Sequence, residues 1–316
     1  MGVEILYGPG YQAGIWDWLT KNKDEIDFAY LNRPHIAIKY IDFIKKNTNI
    51  KVIYYGHDLH FLREYREYEL TGDIKKKRES DYWKSIEFSL MEKAAVSYYP
   101  SYVEEEAIHA IHPEYKIRAI TAYVYEKFLE NIDKDFEKRE GLLFVGGFAH
   151  PPNADAVLWF AKEIFPLIRQ KLDVNFYVVG SKVTDEIKAL EQPGSGIIVK
   201  GFVTEEELAS LYATSRIVVV PLRYGAGVKG KVVEAVYNGS AIVTTSIGSE
   251  GIPEAERVMK VADGPEAFAD EVVKMYQDPA ECRRMCEETQ KYIREYFSVE
   301  AAWKVIEGDF TPEKKR

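Results

Sequence analysis

With 316 residues, 46% of them apolar and 29% charged, the chain has the composition of an ordinary soluble globular protein and the length for two cores. Aspartate and glutamate outnumber lysine and arginine by 51 to 42, and the net charge of −9 offers nucleic acid no general positive field, so any anionic ligand must be met by local groups. No run approaches the roughly 18 consecutive apolar residues of a membrane span, and the start carries neither a basic leader nor a cleavable apolar stretch, which predicts a cytoplasmic protein.

Over the first 135 residues, segments 3–7, 26–31, 51–55, 95–99 and 117–120 read as strands, with room for helices between them. Residues 130–140 are densely charged, have little to bury and precede a fresh strand, so they read as a linker. The alternation then becomes regular. Strands are predicted over 142–147, 175–181, 196–201, 216–222 and 240–246, with helices over 154–172, 184–191, from Thr204 and over 231–237. Charged amphipathic helices follow over 265–276 and 279–296, and a tail from residue 299 is expected to cross back to the first domain. Short apolar strands separated by helices predict parallel sheets covered on both faces. The expected domains are 1–137, 138–298 and the tail 299–316, the first two Rossmann-like, with ligands at the carboxyl ends of their strands. The two cysteines, Cys282 and Cys286, lie four apart in a charged helix and provide neither a disulfide framework nor a metal site.

The strongest local signal is Pro221-Leu-Arg-Tyr-Gly-Ala-Gly-Val-Lys-Gly-Lys-Val-Val-Glu-Ala235, a strand running through a glycine-rich loop into a helix. Gly225, Gly227 and Gly230 expose backbone N–H groups, Lys229 and Lys231 add charge, and the helix start adds its positive dipole end, a combination suited to a diphosphate. Val232 stands where a Walker loop has Ser or Thr for magnesium, which disfavours a metal-dependent nucleoside triphosphatase. Glu234, one turn into the helix, is placed to accept hydrogen bonds from a ribose diol. The plainer alternative is a glycine turn with solvated lysines. A second strand-to-helix loop, Gly146-Gly-Phe-Ala-His-Pro-Pro-Asn153, offers Gly146 and Gly147 amides and an Asn153 cap as another wall of the pocket, or is simply a capped connection. The turn Gly201-Phe202-Val203 is placed to read a nucleobase edge.

These segments, together with Thr245-Ser-Ile-Gly-Ser-Glu-Gly-Ile252, resemble the donor domain of the family 4 glycosyltransferases, glycosyl transferases group 1, over roughly residues 141 to 300, in a subgroup with a Gly-Ala-Gly-x-Lys-x-Lys loop. The resemblance implies a GT-B fold, two Rossmann-like domains facing across a cleft, and a retaining, metal-independent transfer in polysaccharide biosynthesis, with a UDP- or GDP-sugar as donor substrate and no separate cofactor or metal site. It assigns His57, Lys229 and Glu234 to catalysis, and Gly146, Gly147, Asn153, Gly201, Phe202, Val203, Arg223, Gly225, Gly227, Val228, Gly230 and Lys231 to donor binding. Family members carry two glutamates eight apart; Glu234 matches the second, whereas the position of the first is Ala226.

In the first half, Lys51-Val-Ile-Tyr-Tyr-Gly-His-Asp58 is similar to the family's strand ending in His-Asp, which singles out His57 as the active-site histidine. Ser101 fits a strand-end serine, and Thr121-Ala-Tyr-Val-Tyr125 departs from the family's Pro-Asn-Gly-Val-Asp. Asn32-Arg-Pro-His35 follows a strand, and Arg33 or His35 is a candidate for acceptor contact. The opening residues look like a strand from the middle of a GT-B acceptor domain, so the first domain is read as truncated or as part of a longer chain. The expected acceptor is a glycan, a lipid-linked molecule or a protein. The basic run 74–78 allows peripheral contact with the inner face of a membrane, a solvated helix face being the alternative. The rival reading of the whole is a noncatalytic glycosyltransferase-like module that binds a nucleotide sugar or glycan partner; an epimerase of the same shape is a third.

Overall fold

Strands of two to five residues, several buried on both faces, assemble into two parallel sheets in the computed structural model, which describes residues 2–310. The described residues divide into two compact units: 2–68 with 72–120 and 304–310, and Glu69–Thr71 with Thr121–Trp303.

In the first unit, β1 (Phe28–Asn32), β2 (Lys51–Tyr55), β3 (Val96–Tyr99) and β4 (Ile117–Ala119) lie in the order β1-β2-β3-β4. The accompanying helices are α1 (Pro9–Asn22), α2 (Pro34–Asn47), α3 (His60–Thr71), α4 (Ile74–Lys93) and α5 (Tyr102–His109). One core gathers Ile41, Tyr54, Leu90 and Tyr99; another holds Ile53, Tyr55, Val96 and Tyr98 beneath Val305, Ile306 and Phe310 of the tail. Buried Asp309 fixes that tail, accepting from the Tyr98 hydroxyl at 2.6 Å and from Lys116 at 2.7 Å, while its own carbonyl accepts from Lys51 at 2.9 Å.

The second unit has β5 (Leu142–Val145), β6 (Phe176–Val179), β7 (Ile197–Gly201), β8 (Ile217–Val220), β9 (Ala241–Thr244) and β10 (Lys260–Val261), in the order β10-β9-β8-β5-β6-β7. Its helices are α6 (Pro151–Trp159), α7 (Phe165–Arg169), α8 (Asp185–Lys188), α9 (Glu205–Thr214), α10 (Gly230–Tyr237), α11 (Ser246–Ser249), α12 (Pro265–Tyr276) and α13 (Pro279–Tyr296), followed by α14 (Val299–Ile306). The expected single helix over 154–172 is interrupted by a widened turn, Phe160–Ile164. Pro166 just beyond it has no N–H to give the helical ladder, and the extra residue in the turn accommodates that loss.

Two expectations are corrected. Residues 3–7 form no strand and are mostly exposed, with Val3 at 85% and Tyr7 at 81%. Their apolar, β-branched composition favours a strand, but a strand also needs a ladder partner, and among the described residues none pairs with them. The division between units falls at Ile120 and Thr121 rather than near 137. Residues 130–140 are not a linker: Phe136 is wholly buried in the second core, Ile132 packs against that core, and Arg139 is buried with its guanidinium 4.1 Å from the Phe136 ring centroid.

Candidate functional site

Strands β5, β6 and β7 run outward on one side of the second sheet and β8, β9 and β10 on the other, so the order reverses between β5 and β8. Connections leaving such a reversal diverge and leave a crevice at the strands' carboxyl ends. The two loops leaving these strands are those the sequence singles out, 146–150 before α6 and 221–229 before α10.

They wall a cavity of about 520 Å³ lined by residues of the second unit alone. Gly227 has φ of 73°, a left-handed conformation that favours glycine. At Gly230, the first residue of α10, a Cβ would come 2.5 Å from the Tyr123 hydroxyl, so only glycine lets the helix start this close to the tyrosine.

Asn153 ties the walls together. Its amide nitrogen donates to the Gly147 carbonyl at 2.7 Å, and its oxygen accepts from the Lys231 amine. The Lys231 nitrogen lies 5.1 Å from the centroid of the Phe144 ring. Burial, with the charge of Lys229 beside it, pushes the Lys231 ammonium down to about 7. Lys229 donates to the Gly227 carbonyl and reaches the Glu250 carboxylate at 3.5 Å. Burial raises the Glu234 carboxyl above its ordinary range, with the Tyr212 hydroxyl acting in the opposite direction. The site therefore joins backbone amides, two lysines and a half-buried acid, groups that can bind a diphosphate and a diol. Among the described residues no three His, Cys, Asp or Glu side chains gather as a metal site.

Of the residues expected at a donor site, Gly146, Gly147, Asn153, Phe202, Val203, Gly225, Val228, Lys229, Gly230, Lys231 and Glu234 line this cavity. Gly201 and Gly227 are adjacent in the chain but do not form its surface. Arg223 does not line it either: its guanidinium pairs with Asp155 and lies 5.6 Å from the Trp159 ring centroid, so it braces α6. His57 belongs to the first unit, at the end of β2, with φ of 69°, its ring nitrogen against Asn32 and its ring edge-on to Tyr55. Burial, then the nearby Arg33, lowers its pKa below the ordinary histidine range. Ser101 caps α5, accepting from the Val103 amide at 3.0 Å. Within the basic run, Lys76 is engaged with Glu64 at 2.7 Å and Glu67 at 3.2 Å.

Sequence reasoning did not assign Tyr123, His150, Ser181, Leu208 and Tyr224, all of which line the cavity. His150 and Tyr224 sit inside the two loops it quoted, so proximity to the glycines was the available signal. Tyr123 lies in the segment that departed from the family pattern.

Residues 139–278 match the family model for glycosyl transferases group 1. A curated relative, an uncharacterized 44.6 kDa protein in the cps region of Klebsiella pneumoniae, is 32% identical over 116 residues, covering 35% of this chain and 30% of that protein. Among solved structures, sucrose-phosphate synthase from Thermosynechococcus elongatus has a TM-score of 0.75 at 16% identity, covering 96% of this chain and 77% of that one. The pneumococcal O-GlcNAc transferase GtfA in complex with UDP and GlcNAc has a TM-score of 0.64 at 15% identity, covering 96% and 60%. Anabaena HepE in complex with UDP gives 0.66 at 12% identity, covering 95% and 84%. The fold is GT-B, an α/β architecture of parallel sheets with helices.

Proposed function

We propose that the pocket at the β5–β8 reversal holds the nucleoside diphosphate half of a UDP- or GDP-sugar, and that the protein transfers the sugar to a glycan, lipid-linked or protein acceptor with retained configuration and without a metal. The observation that carries this reading is the convergence of the Gly146–Gly147 loop, Lys229, the start of α10, Lys231 and Glu234 around one cavity. The group 1 match over residues 139–278 and the UDP bound in two structures of the same fold support it.

In this reading the diphosphate rests on amides of Gly146, Gly147 and the α10 N-terminus, facing both lysines, and Glu234 accepts from the ribose hydroxyls. Phe202 and Val203 meet the base. The bond from the sugar's anomeric carbon to the phosphate oxygen breaks, and its electron pair stays on that oxygen. The acceptor hydroxyl bonds to the same carbon on the same face, and its proton passes to the departing phosphate. Lysines and amides that face the growing charge provide the main catalytic stabilisation, and no protein nucleophile is needed. A catalytic role for His57 rests on the resemblance alone.

Titration calorimetry with a panel of UDP- and GDP-sugars, followed by donor hydrolysis and transfer assays, tests the proposal. Micromolar binding of one donor, turnover, and loss of binding in Glu234→Ala are the expected results; His57→Ala is expected to keep binding and lose turnover. A folded protein that binds none of the panel refutes the reading, and binding without turnover favours a noncatalytic module.

A further inference from the structure

Lys229 and Lys231 both line the pocket but differ in their partners. Lys229 has the Glu250 carboxylate at 3.5 Å, whereas Lys231 has no ion pair among the described residues. The Lys231 stem lies against the backbone of Gly146, where a Cβ would come 3.1 Å from its Cε, and its nitrogen is held by the neutral Asn153 amide and the Phe144 ring. A shielded ammonium without a counter-ion is costly, and an amine escapes that cost by giving up its proton.

We propose that Lys231, shielded and without a counter-ion, has given up its proton in a substantial share of ligand-free molecules near neutrality and takes it back together with a bound diphosphate, so that donor binding and nucleotide release are proton-coupled. The proposal rests on the donor reading of this pocket and deepens it by naming how the site is regulated. A diphosphate brings the negative charge that the surrounding side chains withhold. Burial and the adjacent Lys229 hold the free lysine near 7, and an anion beside it restores an ordinary lysine range.

The other titratable groups around the pocket do not compensate Lys231. Lys229, at the head of the same helix, opposes its charge. Glu234 lies one turn further along, beside Tyr212 of α9. Glu250 faces Lys229, Asp155 is taken by Arg223, Tyr123 meets Gly230, and His150 lies on the loop before α6. Of these, His150 has an ordinary range that overlaps neutrality, so it needs its own control.

The test is calorimetry with UDP-glucose and GDP-mannose, whose diphosphates are esterified at both ends and do not themselves titrate near neutrality, in buffers of differing ionisation enthalpy. For a free pKa of about 7 and an ordinary bound value, uptake per ligand is about 0.1 proton near pH 6, about 0.5 near pH 7 and about 0.9 near pH 8, and affinity falls about tenfold from pH 6 to pH 8. Lys231→Met is expected to abolish uptake near pH 8, and His150→Gln to keep it. Binding with no uptake near pH 8 overturns the proposal and leaves the donor reading standing; if neither sugar binds, the donor found in the panel takes their place, and a folded protein that binds no donor of the panel overturns both. A carbon-13 titration of lysine Cε signals in the ligand-free wild type does not depend on the variant folding. One signal with a midpoint near 7 is expected, and the absence of any lysine titrating below about 9 refutes the neutral amine.

Discussion

Two substitutions at Asn153 separate its structural work from its electrostatic work. Asn153→Ala removes the 2.7 Å bond to the Gly147 carbonyl and the acceptor for Lys231. A shielded polar group left without its partner costs about 1 to 3 kcal/mol, and because the pocket admits water, the sum over both groups falls near 3 kcal/mol. Asn153→Asp returns an acceptor to Lys231, now as a carboxylate that favours the ammonium, and stability should recover by about 1 kcal/mol relative to the alanine variant. Binding should respond oppositely. A carboxylate about 4 Å from a ligand phosphate costs about 4 kcal/mol at an effective dielectric of 20, and screening at the open pocket halves this to about 2, or roughly thirtyfold in affinity. Denaturant unfolding and calorimetry with the donor identified from the panel measure the two quantities. Wild-type donor affinity in Asn153→Asp would refute the placement of the diphosphate beside Lys231 and Asn153.

Two further outcomes test the fold. Phe136→Ala, in the segment whose sequence looks like a linker, should destabilise the second unit by about 3 to 5 kcal/mol, because it empties a wholly buried site and removes the ring beneath Arg139; a loss under about 1 kcal/mol in urea unfolding would return these residues to the surface. Asp309→Ala should cost about 1 to 3 kcal/mol and speed amide exchange in α14, since it strands the buried Tyr98 hydroxyl and removes the partner of the half-exposed Lys116. Although burial opposes it, Lys116 and the Tyr98 hydroxyl hold the Asp309 carboxyl below its ordinary range, so its stabilisation is complete above about pH 4 and fades as pH falls through the lowered value. Exchange rates in α14 that ignore both the substitution and acid would argue against this anchor.

The parallel architecture was legible because strands such as Ile217–Val220 and Ala241–Thr244 are short, apolar and followed by helix-like periods. The donor loops were legible for a related reason: glycines and lysines between a strand and a helix have few purposes in common other than holding an anion. Features that depend on distant partners were hidden. Residues 3–7 have the composition of a strand, but composition does not name a neighbouring strand. Phe136 looks isolated among charges until the second unit closes over it. For Arg223 the sequence leaves open a place on the ligand or a brace for the loop, because nothing local shows that Asp155, 68 residues earlier, would claim it. Even the difference between Lys229 and Lys231 is invisible in the loop itself, since it turns on where Glu250 arrives.

The return of residues 304–310 to the first sheet makes that unit discontinuous in the chain. On a ribosome, residues 121–303 emerge before the segment that covers Ile53, Tyr55, Val96 and Tyr98. The later unit in sequence can therefore finish folding first, while the earlier one keeps part of an apolar sheet face uncovered until Asp309 has been synthesised. Truncation from the carboxyl end should thus injure the amino-terminal unit, and a nascent chain stalled before residue 304 would be a natural client for a chaperone.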